Sequence, residues 1–171
     1  QDKMPAFDEA EARAIIEAEL GAPVDELFEE FGPSVAAASS AQVHKARLTD
    51  GRWVAVKIVR PGIADRISKD IRTLSLGAAL AERFAPASKR MEPRLFVETV
   101  SRSLQLETDL RLEAAAGSEL SEAASAVAQY RIPPVEWPLS TKSVLTTRWI
   151  DGIALSNDDA LTTSGIDRKA L

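Results

Sequence analysis

The chain has 171 residues and a mass of 18.5 kDa, enough to bury one substantial core. A net charge of −5 and a pI near 5.0 argue against a broad basic nucleic-acid surface. The absence of cysteine excludes disulfides, thiolate metal sites and cysteine nucleophiles, and the single histidine, His44, argues against a histidine metal cluster or a Ser-His-Asp triad.

In chain order, Phe7–Leu20 reads as an amphipathic helix with Asp8, Glu9 and Glu11 in its first turn and Gly21 as its stop. Val24–Phe31 reads as a second, short helix ended by Gly32-Pro33. The period then changes. Val43–Leu48 and Trp53–Val59 are β-rich and separated by Thr49-Asp50-Gly51-Arg52, whose Asp-Gly is a hairpin signal. Strand alternation places Lys57 on one face with Ala55 and Val59. Asp65–Phe84 reads as a helix ending near Pro86, and Pro93 opens a long helix expected to reach Ala128. On that helix Leu106, Leu110, Glu113, Gly117 and Leu120 share one stripe, with Asp109 beside Glu113 and Glu107 a quarter turn away. Val135–Trp137 and Ser143–Trp149 read as two short strands around a Pro138-Leu139-Ser140 turn, and a polar helix is expected from about Ser156. No run approaches the roughly 18 apolar residues of a spanning helix. The first residue is Gln1 and no signal-peptide pattern follows, while Arg168–Leu171 reads as mid-helix, so a longer parent protein is expected.

Three features carry chemistry. Val35–Val43, a run of small residues expected as a tight loop between strands, would leave backbone amides free to meet an anion. Alanine in place of glycine would make such a loop a stiffer lid. Lys57 ends a valine-rich strand and would supply a point charge for a phosphate, although most such lysines lie at a sheet edge with only the charge in water. Glu113, a carboxylate on an apolar stripe, needs a partner; it suits Lys57 better than a surface pair with Arg111. Gln42 and His44 stand on the strand leaving the loop, and His44 reads as a structural histidine at least as readily as a catalytic one.

These segments resemble the UbiB/ADCK (aarF) family of atypical protein-kinase-like proteins. The resemblance is carried by Ala36–His44, Val54-Ala55-Val56-Lys57, Arg60-Pro61-Gly62-Ile63, Glu107–Ala114 and Val144–Gly152, and it extends from about Phe7 to the C-terminus. It implies an α+β fold: a kinase-like N-lobe with a small antiparallel sheet and family-specific helical insertions. Residues 1–31 would be a helical lead-in, 32–150 the lobe with an αC-like helix, and 151–171 the start of a linker to a C-lobe beyond this sequence. Carried over residue by residue, Val35, Ala36, Ala37, Ala38, Ser39, Ser40, Ala41, Gln42 and Val43 would be the nucleotide loop. Lys57 would be the ATP-contacting lysine and Glu113 its helix partner, with Ala55, Thr147 and Trp149 around the adenine pocket. Glu107 and Asp109 would be the ExD pair that docks a KxGQ segment, which this sequence does not contain. Arg148 replaces a frequent hinge acid, and Ser40 stands where a bulkier aliphatic is common.

The function implied is ATP or ADP binding with magnesium, the metal ligands and catalytic aspartate coming from the C-lobe, in support of ubiquinone (coenzyme Q) biosynthesis. This stretch alone is expected to bind nucleotide weakly and to transfer no phosphate. The alternatives are a non-catalytic pseudokinase module that uses nucleotide or lipid to regulate a biosynthetic complex, and a helical adaptor with an accidental lysine strand. Expected partners are nucleotide, a lipid or coenzyme Q precursor, and proteins of that complex, with no nucleic acid. The expected location is the cytoplasmic face of an inner membrane, held through segments outside this sequence, and the alanine- and arginine-rich composition reads as bacterial.

Overall fold

The computed structural model describes residues 5–85, 90–124, 130–153 and 158–165. Its centre is a four-stranded antiparallel sheet in sequential order: β1 (Phe28–Ala37), β2 (Ala41–Leu48), β3 (Trp53–Val59) and β4 (Val144–Arg148). Around it stand helices α1 (Glu9–Leu20), α2 (Val24–Leu27), α3 (Ile63–Phe84), α4 (Pro93–Glu107), α5 (Leu110–Ala124) and α6 (Asp158–Thr163). The α+β architecture is the one expected, a small antiparallel sheet with helices.

Alternation along β3 divides the sheet into two faces. Val54, Val56 and Ile58 are fully buried and pack with Ala12 and Ile16 of α1, Val24 and Phe28. Asp8 caps α1, its carboxylate accepting from the Ala10 amide at 3.0 Å, and this fixes where the helix begins over that core. Trp53, Ala55, Lys57 and Val59 face the other way, where α5 gives partial cover: Leu110 and Ala114 pack on Leu145 of β4, with Val59 and Val135 beside them. The α1 face is thus a closed core and the α5 face a half-open cleft.

Several local readings change. Phe28–Phe31 is strand rather than helix, with Phe28 opposite Leu48 and Phe31 opposite Ala46. Pro33 disfavours helix at Gly32, and pairing with β2 satisfies the backbone there. Gly32 sits at a bulge so close to β2 that an added Cβ would lie 3.0 Å from the Lys45 carbonyl oxygen. The expected nine-residue loop shrinks to a turn: Val35–Ala37 belong to β1, Ala41–Val43 to β2, and only Ala38-Ser39-Ser40 connect them, closed by the Ala38 amide donating to the Ala41 carbonyl at 2.8 Å. None of these residues has a positive φ, so the turn does not need glycine and the alanines carry no backbone strain. Gly51, at φ 85°, does serve its expected place in the β2–β3 hairpin.

The long helix from Pro93 is broken. Asp109 turns its carboxylate onto the Arg111 amide (3.2 Å), a local bond that starts a new helix instead of continuing the old one. The Leu110 amide donates to the Lys142 carbonyl at 2.9 Å, which seats α5 beside β4. The single apolar stripe is therefore lost: Leu110 is buried, whereas Leu106 and Leu120 are more than half exposed. Val135 makes one isolated bridge to Thr147 rather than a strand, and Trp137–Leu139 form a 3-10 turn. The expected helix from Ser156 is described over Asp158–Thr163; its start, the continuation of α5 to Ala128, Pro86 and Arg168–Leu171 lie outside the described residues. Among the described residues no helix is long and apolar enough to cross a membrane.

Candidate functional site

The half-open face can be read row by row from the register. Val43, Lys57 and Leu145 stand side by side on β2, β3 and β4; the next row is Lys45, Ala55 and Thr147; beyond it Arg47 and Trp53 pair. In the opposite direction the sheet ends in the Ala38–Ser40 turn. Of the expected site residues, Val43, Lys57, Ala55 and Thr147 therefore lie along one surface, ordered from turn to hairpin.

Lys57 and Glu113 meet across this cleft. The Lys57 ammonium donates to both Glu113 carboxylate oxygens, at 2.9 and 2.6 Å, although 56 residues separate them. The lysine side chain is about one-third exposed and the glutamate about half, 32% and 51%, so the pair is accessible to a ligand and adds only about 0–1 kcal/mol to stability. Arg111 does not compete for Glu113, because it forms a paired contact with Asp109 at 2.9 and 2.6 Å. That guanidinium, through its hydrogen bonds, holds the Asp109 carboxyl below the usual carboxylate range. Asp109 is thus committed to capping α5. Glu107 is exposed at the end of α4 and makes no ion pair among the described residues.

The turn is held from behind by Arg60. Its backbone amide donates to the Ser40 carbonyl at 2.8 Å, and its guanidinium donates to the Ala38 and Pro5 carbonyls at 3.2 and 3.0 Å while lying over the Phe7 ring. With the Ala38 amide used to close the turn, the amides of Ser39 and Ser40 have no partner among the described residues. These are backbone donors of the kind expected of the stretch, on the turn itself.

Other expected residues point away. Gln42 is buried on the α1 face, accepting from the Phe7 amide at 2.9 Å and donating to His44 Nε2 at 2.9 Å. His44 Nδ1 donates to the Gly32 carbonyl at 2.8 Å, so the ring is neutral with its Nε2 as acceptor, and Phe31 stacks on it at 4.6 Å. Burial pushes its pKa down. His44 is a core residue, and Gln42 ties the chain entering α1 to β2. Val35 and Ala36 are exposed on β1, Ala37 is half-buried there, and Ala41 is buried. Thr146 is buried too, its hydroxyl donating to the Leu139 carbonyl, whereas Thr147 faces the cleft beside Ala55.

Sequence reasoning missed Lys45. Its ammonium lies 4.7 Å from the ring centres of both Trp53 and Trp149, a double cation–π contact of about 0.5–2 kcal/mol each. Parity along β2 and β3 already puts Lys45 and Trp53 on the Lys57 face, but nothing local signals that Trp149 joins them. Among the described residues no group of three acidic or histidine side chains is placed to hold a metal ion.

Comparison with known proteins is consistent along the whole chain. The model of the ABC1 atypical kinase-like domain matches residues 1–171. The chain is 40% identical over 172 residues to the Probable protein kinase UbiB of Marinobacter nauticus, covering all of this chain and 31% of that protein; it spans about a third of its relative's length. Among solved structures, the Rv3197–erythromycin complex from Mycobacterium tuberculosis superposes with a TM-score of 0.76 at 28% identity, over 89% of this chain and 38% of the other.

Proposed function

The chain belongs to the ABC1 atypical kinase-like domain family, and we propose that its half-open face is the ATP-binding lobe of a UbiB-like atypical kinase or ATPase supporting ubiquinone biosynthesis. The observation that carries this reading is the two-oxygen contact of Lys57 with Glu113 across the cleft, from residues 56 positions apart. A lysine anchored by a helix carboxylate presents its charge at a fixed point, where it stabilises phosphate oxygens without first having to be ordered.

The remaining residues fit a nucleotide laid along the strands. The Ser39 and Ser40 amides and Lys57 mark the phosphate end. Ala55 and Thr147, small side chains paired side by side, come next along the sheet, where a flat ring would lie. Bound ATP would supply a transferable γ-phosphoryl group. This chain's own residues bind and orient it: Lys57 offsets phosphate charge and Glu113 positions Lys57. Membrane attachment of the parent protein, and a lipid or coenzyme Q precursor as its partner, belong to the same proposal.

Titration of the full-length protein with Mg-ATP and Mg-ADP tests it. Lys57→Ala is expected to weaken both affinities by at least about tenfold, the loss of roughly 1.4 kcal/mol of charge-assisted contact. Equal affinity of wild type and variant overturns the assignment.

A further inference from the structure

At the far end of the cleft from the Ala38–Ser40 turn, the Lys45 ammonium lies 4.7 Å from the ring centres of both Trp53 and Trp149. Lys45 is the register neighbour of Ala55, and Ala55 of Thr147. Trp53 follows on the same face of β3, and Trp149 is the residue directly after β4. From Lys57 to Trp53 the strand advances four residues, about 13 Å. A nucleotide with its phosphates at Lys57 would therefore bring its base to the row just before the Trp53–Lys45–Trp149 stack.

The stack is also what holds the chain leaving β4. The Trp149 amide donates to the Trp53 carbonyl at 2.9 Å, and the Trp149 indole N–H donates to Asp151 at 2.8 Å. Trp149 also lines a cavity of about 500 Å³, shared with Ile132, Arg148 and Ile150. The Lys45 cation is an attraction that keeps the ring against the sheet. Lys45 makes no ion pair among the described residues, so its charge is directed at the two rings.

We propose that Lys45, in cation–π contact with both Trp53 and Trp149, is a positioning residue that fixes the base end of the cleft and so sets which purine the site prefers. This rests on the nucleotide reading given above. Without the cation, the Trp149 ring keeps its hydrogen bond to Asp151 and its backbone bond to Trp53 but loses its attraction to β2, and the base end of the cleft is held less firmly.

The test uses the full-length protein with tryptophan replaced by 5-fluorotryptophan, the ¹⁹F resonances being assigned with Trp53→Phe and Trp149→Phe. Lys45→Met is expected to shift the Trp149 resonance in the ligand-free protein. It should also weaken ATP binding by about three- to tenfold and change the ATP-to-GTP affinity ratio, with the ATP-to-ADP ratio unchanged. Lys45→Arg, which keeps a cation at the rings, is expected to restore all three. Lys45→Gln serves in its place if the methionine variant does not fold. A Lys45→Met protein that binds nucleotide with wild-type purine preference overturns the proposal while leaving the nucleotide reading intact. A wild type that binds no nucleotide overturns both.

Discussion

His44 stands on the strand leaving the turn, and of its two sequence readings the structural one is what the fold shows. Buried among Phe31, Gln42 and the Gly32 carbonyl, it is held neutral because desolvation disfavours the imidazolium. Its ordinary value is 6.5, and the folded value lies lower, so the unfolded chain takes up the proton first. Stability should be full above about pH 6.5 and fall on acidification below it, by up to about 1.4 kcal/mol per pH unit, until the folded value is reached. Urea denaturation between about pH 7.5 and 5.5 measures this slope, and His44→Gln is expected to flatten it. Superimposable slopes would mean that another group carries the dependence. For Lys57, strand parity gave the face and the apolar stripe pointed to Glu113 as partner, and the structure supplies the contact between them.

Among the elements, the break between α4 and α5 matters most for the site. A continuous helix would carry Glu113 on a stripe fixed by Leu106 and Leu120; the observed helix begins afresh at Leu110, seated by Asp109 and by the Lys142 carbonyl. Asp109→Ala is expected to remove the cap, lower stability by about 1 kcal/mol, and weaken nucleotide binding by loosening Glu113 from Lys57. Asp109→Asn keeps an acceptor for the Arg111 amide and should retain most of both. Thermal melts and titration on the same samples check this, and unchanged affinity in the alanine variant would separate α5 capping from the site. The break was hard to read because Asp109 sits at helical spacing from Glu113, and a capping aspartate and a mid-helix aspartate look alike until the next strand supplies a carbonyl. The Ala38–Ser40 turn was misjudged for a similar reason. Small residues permit loop and strand alike, and pairing of Ala36 with Val43 and of Ala37 with Gln42 extends the strands almost to the turn.

For the whole molecule, the sheet separates a closed core face from the half-open face of the proposed site. One face buries Ile16, Val56 and Ile58 completely, while the other leaves Lys57, Ala55 and Thr147 accessible. Ile16→Ala is expected to cost about 2–5 kcal/mol and lower the melting temperature, with nucleotide affinity preserved below the transition. Lys57→Ala should do the reverse, sparing the melting temperature and lowering affinity; parallel losses in both variants would show that the faces are coupled. Calorimetry with titration distinguishes these outcomes. The amino-acid order alone determined the β2–β3 hairpin and the parity of Lys57, because turn chemistry and strand alternation act within a few residues, and its motifs carried the resemblance to the family. Only tertiary structure decided that Phe28–Phe31 pairs as strand, that α5 restarts at Leu110 to bring Glu113 to Lys57, and that Trp149 closes over Lys45. Each of those depends on a partner far away in the chain, whose hydrogen bonds or burial outweigh the local preference.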